Sequence, residues 1–285
     1  MTTTTDRLDG IDSADVIAAN VIEHADLAVE YEARTRQIAT DPSIWNHWYY
    51  DHLRTALRDL SALYPDQTIT AMDACGGTGK TALFLQRQGV DVVLCDVSPE
   101  MTAVYEKICA ELALPARVVL RDIVSYLRDE STPRVHLITF SSALHHLPDY
   151  ELALALAAEK LEPGGFIHTA WDPLPRTRTV HALSKAEYYL SRFRHPVALG
   201  RGAQRRVKRW RRHRAGAAKV NHEFHGGRSG MDDVALIAFA RSLGLTVRLH
   251  RRNAGGSLRV LQPVRDVLNA HTTFALLLQR PSGGE

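Results

Sequence analysis

Between Thr68 and Leu85 the chain passes from an apolar stretch into a cluster of small residues and back into an apolar stretch. Ile69, Ala71 and Met72 lead to Asp73. Ala74, Cys75, Gly76, Gly77, Thr78 and Gly79 follow, and then Ala82, Leu83, Phe84 and Leu85. This order reads as strand, tight turn and helix. A second apolar run, Val90 to Cys95, closes on Asp96 and is followed by Ser98, Pro99 and Glu100. A Ser cap with Pro at the first helical position opens the next helix. A strand that is apolar on both faces needs cover on both faces, and strands joined through helices lie parallel. The unit is one half of a nucleotide-binding α/β sheet.

Three ligands suit a glycine turn placed this way. Ala74 to Thr81 fits a loose phosphate loop, with Ala in place of the first Gly and Gly79-Lys80-Thr81 at its end. That loop needs a Mg-binding Asp after a later apolar strand, and the later strand Leu137 to Phe140 runs into Ser141 and Ser142 instead. Gly77, Gly79 and Ala82 fit the dinucleotide fingerprint, but Asp73 just upstream would repel a pyrophosphate. The third ligand, S-adenosylmethionine, has no phosphate and carries an ammonium group that an acid favours. A carboxylate at Asp96 can also accept two hydrogen bonds from a ribose diol.

Four blocks carry a resemblance to a family: Asp73 to Gly79; Asp96 to Met101; Ser142 to Asp149, which contains His145 and His146; and Leu161 to Phe166. In this order and at this spacing they resemble the class I S-adenosylmethionine-dependent methyltransferases, over residues 65 to 172. The C-terminal third is similar only in outline. The resemblance implies a doubly wound, mostly parallel seven-stranded α/β sheet with helices on both faces and an antiparallel finish. It implies S-adenosyl-L-methionine as cofactor, held by Asp73, Cys75, Gly76, Gly77, Gly79, Asp96, Val97, Met101, Asp122, Ile123 and Ser141. The family's usual first glycine is Cys75 here, with a glycine beside it at Gly76.

Several of these residues have a second role open to them. Asp73 orders the turn or meets the ligand's ammonium. Val97 and Met101 pack adenine or core. Asp122 faces the adenine amino group or caps a helix. Either His145 or His146 is placed to deprotonate an acceptor, because imidazole exchanges protons near neutrality; both could equally be structural. His222, Glu223 and His225 form a polar cluster over the acceptor or in a surface turn. The three cysteines, Cys75, Cys95 and Cys109, lack metal-ligand spacing, and no metal is expected.

The chain divides into four stretches. Residues 1 to 63 are a polar tail and a helical cap, with aromatics at Trp45, Trp48, Tyr49 and Tyr50. Residues 64 to 172 are the donor-binding half, with strands at Thr68 to Ala74, Val90 to Asp96, Arg117 to Leu120, His136 to Ser141 and Phe166 to Trp171. A helix spans Tyr150 to Leu161. A basic helical insertion follows at 173 to 221. Residues 222 to 285 complete the sheet, with helices at Asp232 to Leu243 and Ser257 to Leu268 and strands at Leu245 to His250 and Thr272 to Gln279.

The net charge of +3 conceals an asymmetry. From Arg176 to Lys219 there are fourteen Lys or Arg and one acid, a net of +13 that leaves −10 for the rest. Such a segment suits an anionic partner, a membrane surface met by Trp210, or nucleic acid; a solvated basic helix needs no partner. Phe140 to Ala143 is not the Asn-Pro-Pro-aromatic type that holds a flipped base, so a small-molecule acceptor ranks above RNA. The first residues, Met1 to Asp6, are polar, and no apolar run approaches membrane-spanning length. With few, unpatterned cysteines, these features predict a cytoplasmic protein, and the resemblance implies a biosynthetic methyltransferase acting at O, N or activated C. An inactive binding protein on the same fold is the alternative from another class.

Overall fold

A computed structural model describes residues 13–175, 177, 179–186, 230–253 and 262–283. The heart of it is a seven-stranded sheet in the order β3-β2-β1-β4-β5-β7-β6. The strands are β1 (Thr70–Ala74), β2 (Asp91–Asp96), β3 (Val118–Leu120), β4 (Val135–Ser141), β5 (Leu161–Pro173), β6 (Thr246–Asn253) and β7 (Thr273–Gln279). β1 to β5 pair in parallel, and β7 lies antiparallel between β5 and β6. The doubly wound, mostly parallel architecture expected from the sequence is present, antiparallel finish included.

Alternation along the central strands builds the two faces. Ala71, Leu137, Phe166 and Leu277 enter one core. Their neighbours Met72, Ile138, Ile167 and Leu278 enter the other. Helices α1 (Ser13–Thr40), α2 (Trp48–Leu63), α3 (Lys80–Arg87) and α4 (Pro99–Glu111) contribute to the first face. Helices α5 (Ile123–Arg128), α6 (Tyr150–Glu159) and α7 (Asp233–Ser242) contribute to the second. A short α8 (Gln262–Val267) precedes β7. It covers the end of the helix expected from Ser257; residues 254–261 lie outside the described residues.

Side chains start several of these helices where the sequence places a cap. Ser98 accepts from the Met101 N–H at 3.3 Å, Asp149 from Leu152 at 2.9 Å, and Asp232 from Val234 at 3.0 Å. Each cap of this type contributes about 1 kcal/mol. The helical cap expected within residues 1 to 63 consists of two helices, parted where Asp41 and Pro42 open a short 3-10 turn over Pro42–Asn46. β5 begins earlier than expected, at Leu161, which pairs with Val135 before a register shift leads to Phe166 opposite Leu137.

Strand order reverses between β1 and β4, so their carboxyl ends open a crevice of the kind where ligands sit in such sheets. α1 lies across it, tied down at its C-terminal half. Thr35 and Thr78 share a buried hydroxyl hydrogen bond of 2.6 Å, and Glu32 pairs with Lys107 at 2.7 Å. Arg36 bridges Glu32 and Glu111. No described helix is long and apolar enough to cross a membrane. Most of the basic segment predicted at 173 to 221, Trp210 included, lies outside the described residues, as does the His222 to His225 cluster.

Candidate functional site

A cavity of about 870 Å³ opens at the crevice. Its floor is the turn after β1. Cys75 sits there with a φ of 53° and Gly77 with a φ of 54°. Left-handed backbone costs a non-glycine residue about 1–2 kcal/mol, which explains why glycine suits the position that Cys75 occupies. A side chain at Gly76 would meet Leu94 at 2.8 Å and Asp73 at 2.9 Å. At Gly79 a Cβ would lie 2.1 Å from the Tyr105 ring. These two glycines let the turn close against its own core, while Gly77 faces the cavity.

Two carboxylates mark one side. Asp96 ends β2 and draws the turn toward it: one oxygen accepts the Gly77 N–H at 2.7 Å, the other the Ser98 N–H at 2.9 Å. Burial raises its pKa above the ordinary carboxylate range. Asp122 caps α5 by accepting the Ser125 N–H at 2.8 Å, and it lines the cavity as well. Val97, Met101 and Ile123 complete this end.

Two cations also line the cavity. Lys80 opens α3, and its ammonium lies 4.3 Å from the centre of the Tyr31 ring. Burial, and after it the nearby charge of Arg34, lowers its pKa to about 8. Among the described residues no carboxylate pairs with Lys80 or with Arg34. Both line the cavity with Tyr31. Lys80 is partly buried and Arg34 is exposed, so both charges are open to the cavity.

The third region lies past β4 and β5. Ser141, Ser142, His146 and Trp171 line it, with His24 from α1 and His47 and Tyr49 from the start of α2. The His24 ring meets the His146 ring edge-on at 5.3 Å. His24 Nδ1 donates to the Asn20 carbonyl at 2.8 Å, which fixes the proton on that nitrogen in the neutral ring. Tyr49 shares a 2.6 Å hydroxyl hydrogen bond with Thr81, and burial raises its pKa.

Comparison with known proteins fits this geometry. Residues 71–165 match the family model described as a methyltransferase domain. The matched residues lie within the stretch whose motifs resemble the class I S-adenosylmethionine-dependent methyltransferases. A tRNA 5-carboxymethoxyuridine methyltransferase of Escherichia coli K12 is 31% identical over 106 residues, which are 35% of this chain and 39% of that protein. The chain thus spans well under half the length of the curated relatives it matches. Among solved structures, the [4+2]-cyclase SpnF is 14% identical with a TM-score of 0.49, covering 80% of each chain. A magnesium protoporphyrin IX methyltransferase from Synechocystis PCC 6803 is 11% identical with a TM-score of 0.49, covering 95% of this chain and 98% of that one.

Within this methyltransferase domain the expected donor residues separate into two groups. Cys75, Gly76, Gly77, Asp96, Val97, Met101, Asp122, Ile123 and Ser141 line the cavity. Asp73 and Gly79 lie behind it. Asp73 is 1% exposed and accepts the Thr139 hydroxyl at 2.7 Å and the Ala82 N–H at 3.1 Å. It orders the turn from beneath. The histidine pair also divides. His146 lines the cavity, whereas buried His145 gives its Nδ1–H to Asp172 at 2.9 Å and its backbone N–H to the same oxygen at 3.1 Å. The residues that sequence reasoning missed are His24, Tyr31, Arg34, His47, Lys80 and Trp171. The aromatic cluster at Trp45 to Tyr50 was the available signal for α2; the α1 residues carry no local motif.

Burial raises the Asp73 pKa to about 7, against the pull of its two hydrogen bonds. The folded chain therefore holds a proton that the unfolded chain loses near pH 4. Its contribution to stability is full below about pH 4 and is lost as pH rises through about 7. Asp73→Asn removes this titration. The melting temperature of the wild type relative to Asp73→Asn is predicted to fall between pH 5 and pH 8; parallel melting curves would show that Asp73 is ionised throughout.

Proposed function

We propose that this protein transfers a methyl group from S-adenosyl-L-methionine to an oxygen, nitrogen or activated carbon of a small-molecule acceptor, as a biosynthetic enzyme. The observation that carries the reading is one cavity lined by two carboxylates, Asp96 and Asp122, and two cations, Lys80 and Arg34, beside the glycine turn. Asp96 suits the ribose diol. Asp122, Val97, Met101 and Ile123 suit the adenine. Lys80 and Arg34 suit the amino-acid carboxylate, and Cys75, Gly77 and Ser141 line the same cavity. The donor set fits S-adenosylmethionine better than a nucleotide triphosphate, since β4 ends in Ser141, followed by Ser142, with no acid to hold Mg²⁺.

When bound, S-adenosylmethionine supplies a methyl group already activated on a sulfonium. What remains for the chain is to position the acceptor, to exclude water and to remove a proton. His146 is the base in this reading: it lies past the carboxyl end of β4 and faces the third region of the cavity. His145 acts through position alone, as the buried partner of Asp172. α1 covers the crevice and keeps water from it.

A second reading has RNA as acceptor. It is favoured by the curated tRNA 5-carboxymethoxyuridine methyltransferase relatives and by the basic stretch of sequence from Arg176 to Lys219. Incubating the protein with methyl-labelled S-adenosylmethionine and a cell extract, then fractionating into small molecules, lipids and RNA, separates the two. Label is expected in the small-molecule fraction, with partition into organic solvent for a lipid-linked acceptor. Label confined to RNA would make the second reading correct, and label in no fraction would favour a binding protein on a methyltransferase fold.

A further inference from the structure

We propose that Trp171 is a wall for a planar aromatic acceptor, held over the cavity by a hydrogen-bonded lock on Asp172. The proposal rests on the methyl-transfer reading and narrows its acceptor to one class. It starts from the backbone. Ala170 pairs with Ala275 and Asp172 pairs with Phe274, so Trp171 is an extra residue in β5. Its φ is 70°. For a bulky side chain that is a true outlier. A bulge breaks the two-residue alternation and re-aims a side chain. Here Trp171 packs on the same face as Ala170 instead of the opposite one.

The strain persists because the next residue is pinned. One Asp172 oxygen accepts the His145 N–H at 3.1 Å and the His145 Nδ1–H at 2.9 Å, while the other accepts the Thr169 hydroxyl at 2.8 Å. All three groups are buried, and Asp172 is 0% exposed. Packing alone needs no such arrangement, since a core tryptophan can be presented from regular strand geometry. Strained positions also recur beside it. Ser142, whose N–H bonds the Ala170 carbonyl at 2.7 Å, has a φ of 57°, and like Trp171 it lines the cavity. Strain of this kind gathers where a site must be held in one shape.

The chemistry of the wall follows from its partners. Trp171 stays partly exposed, at the cavity, with the His47 ring stacked on it at 5.3 Å and 26°. Trp48 lies 4.8 Å away and carries the Arg251 guanidinium over its own ring at 5.4 Å. Tyr49 and Tyr50 continue the aromatic lining. Such surfaces favour a flat ring beyond the area it buries. His146 and Ser142 share this part of the lining, so a stacked ring would bring a heteroatom substituent toward the proposed base.

The test compares 2-naphthol with decahydro-2-naphthol, which share a hydroxyl and differ in planarity, binding to the full chain saturated with S-adenosylhomocysteine. Calorimetry should give about tenfold tighter binding of 2-naphthol, falling to about twofold or less in Trp171→Leu and largely restored in Trp171→Phe. Saturation transfer from indole protons to 2-naphthol in the wild-type chain reads the same contact without a variant. Equal binding of the two probes, failure of both to bind, a ratio that survives Trp171→Leu, or no saturation transfer would overturn the proposal. Absence of S-adenosylhomocysteine binding is a separate result that removes the donor reading. The naphthol ratio, measured with and without S-adenosylhomocysteine, judges the wall alone.

Discussion

His146→Ala is expected to lower turnover by roughly 10²–10⁴-fold while leaving S-adenosylhomocysteine affinity within about twofold, the range for a positioned general base. The imidazole lines the cavity past Ser141 and Ser142, beside the His24 ring. His145→Ala gives the contrast. Its ring is committed to buried Asp172, so removal leaves that carboxylate short of a donor and loosens the backbone at Trp171. That variant should lose thermal stability and acceptor affinity together. His146→Ala should instead keep its melting temperature and lose rate. Steady-state rates at saturating donor, read beside melting curves, distinguish the two. Near-wild-type turnover in His146→Ala would leave catalysis to positioning alone.

Asp96→Ala is expected to weaken donor binding by about 1.5–3 kcal/mol, the scale of hydrogen bonds to a charged group. Two losses combine. The ribose loses its acceptor, and the turn loses the carboxylate that draws in the Gly77 and Ser98 N–H groups at 2.7 and 2.9 Å. Asp96→Asn separates them, because its carbonyl oxygen can keep one backbone contact while the charge is gone. Calorimetric titration of both variants with S-adenosylhomocysteine should rank the wild type tightest, Asn intermediate and Ala weakest. Unchanged affinity in a folded Asp96→Ala chain would mean that the ribose lies elsewhere.

Most of the donor end was legible because it is local. The turn from Ala74 to Gly79, the strand ending at Asp96 and the cap at Asp122 are each contiguous in sequence, and the rules of strand, turn and cap operate over a few residues. At Asp73 the sequence allowed either turn-ordering or ligand contact. The choice depends on burial, and with the Thr139 hydroxyl 66 residues away it cannot be read from neighbours. The same holds for the histidine pair: which ring faces the cavity is decided by Asp172, 27 residues further on. Tyr31, Arg34 and His24 were missed because α1 reaches the site only once it packs on α3 and α4. Trp171 ends a predicted strand in sequence; its turn toward the cavity comes from a bulge that pairing with β7 imposes.

The central claim is that the cavity holds an adenosine with an amino-acid tail and not a phosphate. Calorimetry of the full-length chain with S-adenosylhomocysteine, Mg-ATP and NAD tests it most directly. The account predicts micromolar binding of S-adenosylhomocysteine, about −8 kcal/mol, and no saturable binding of the other two. Tight binding of Mg-ATP with none of S-adenosylhomocysteine would contradict it.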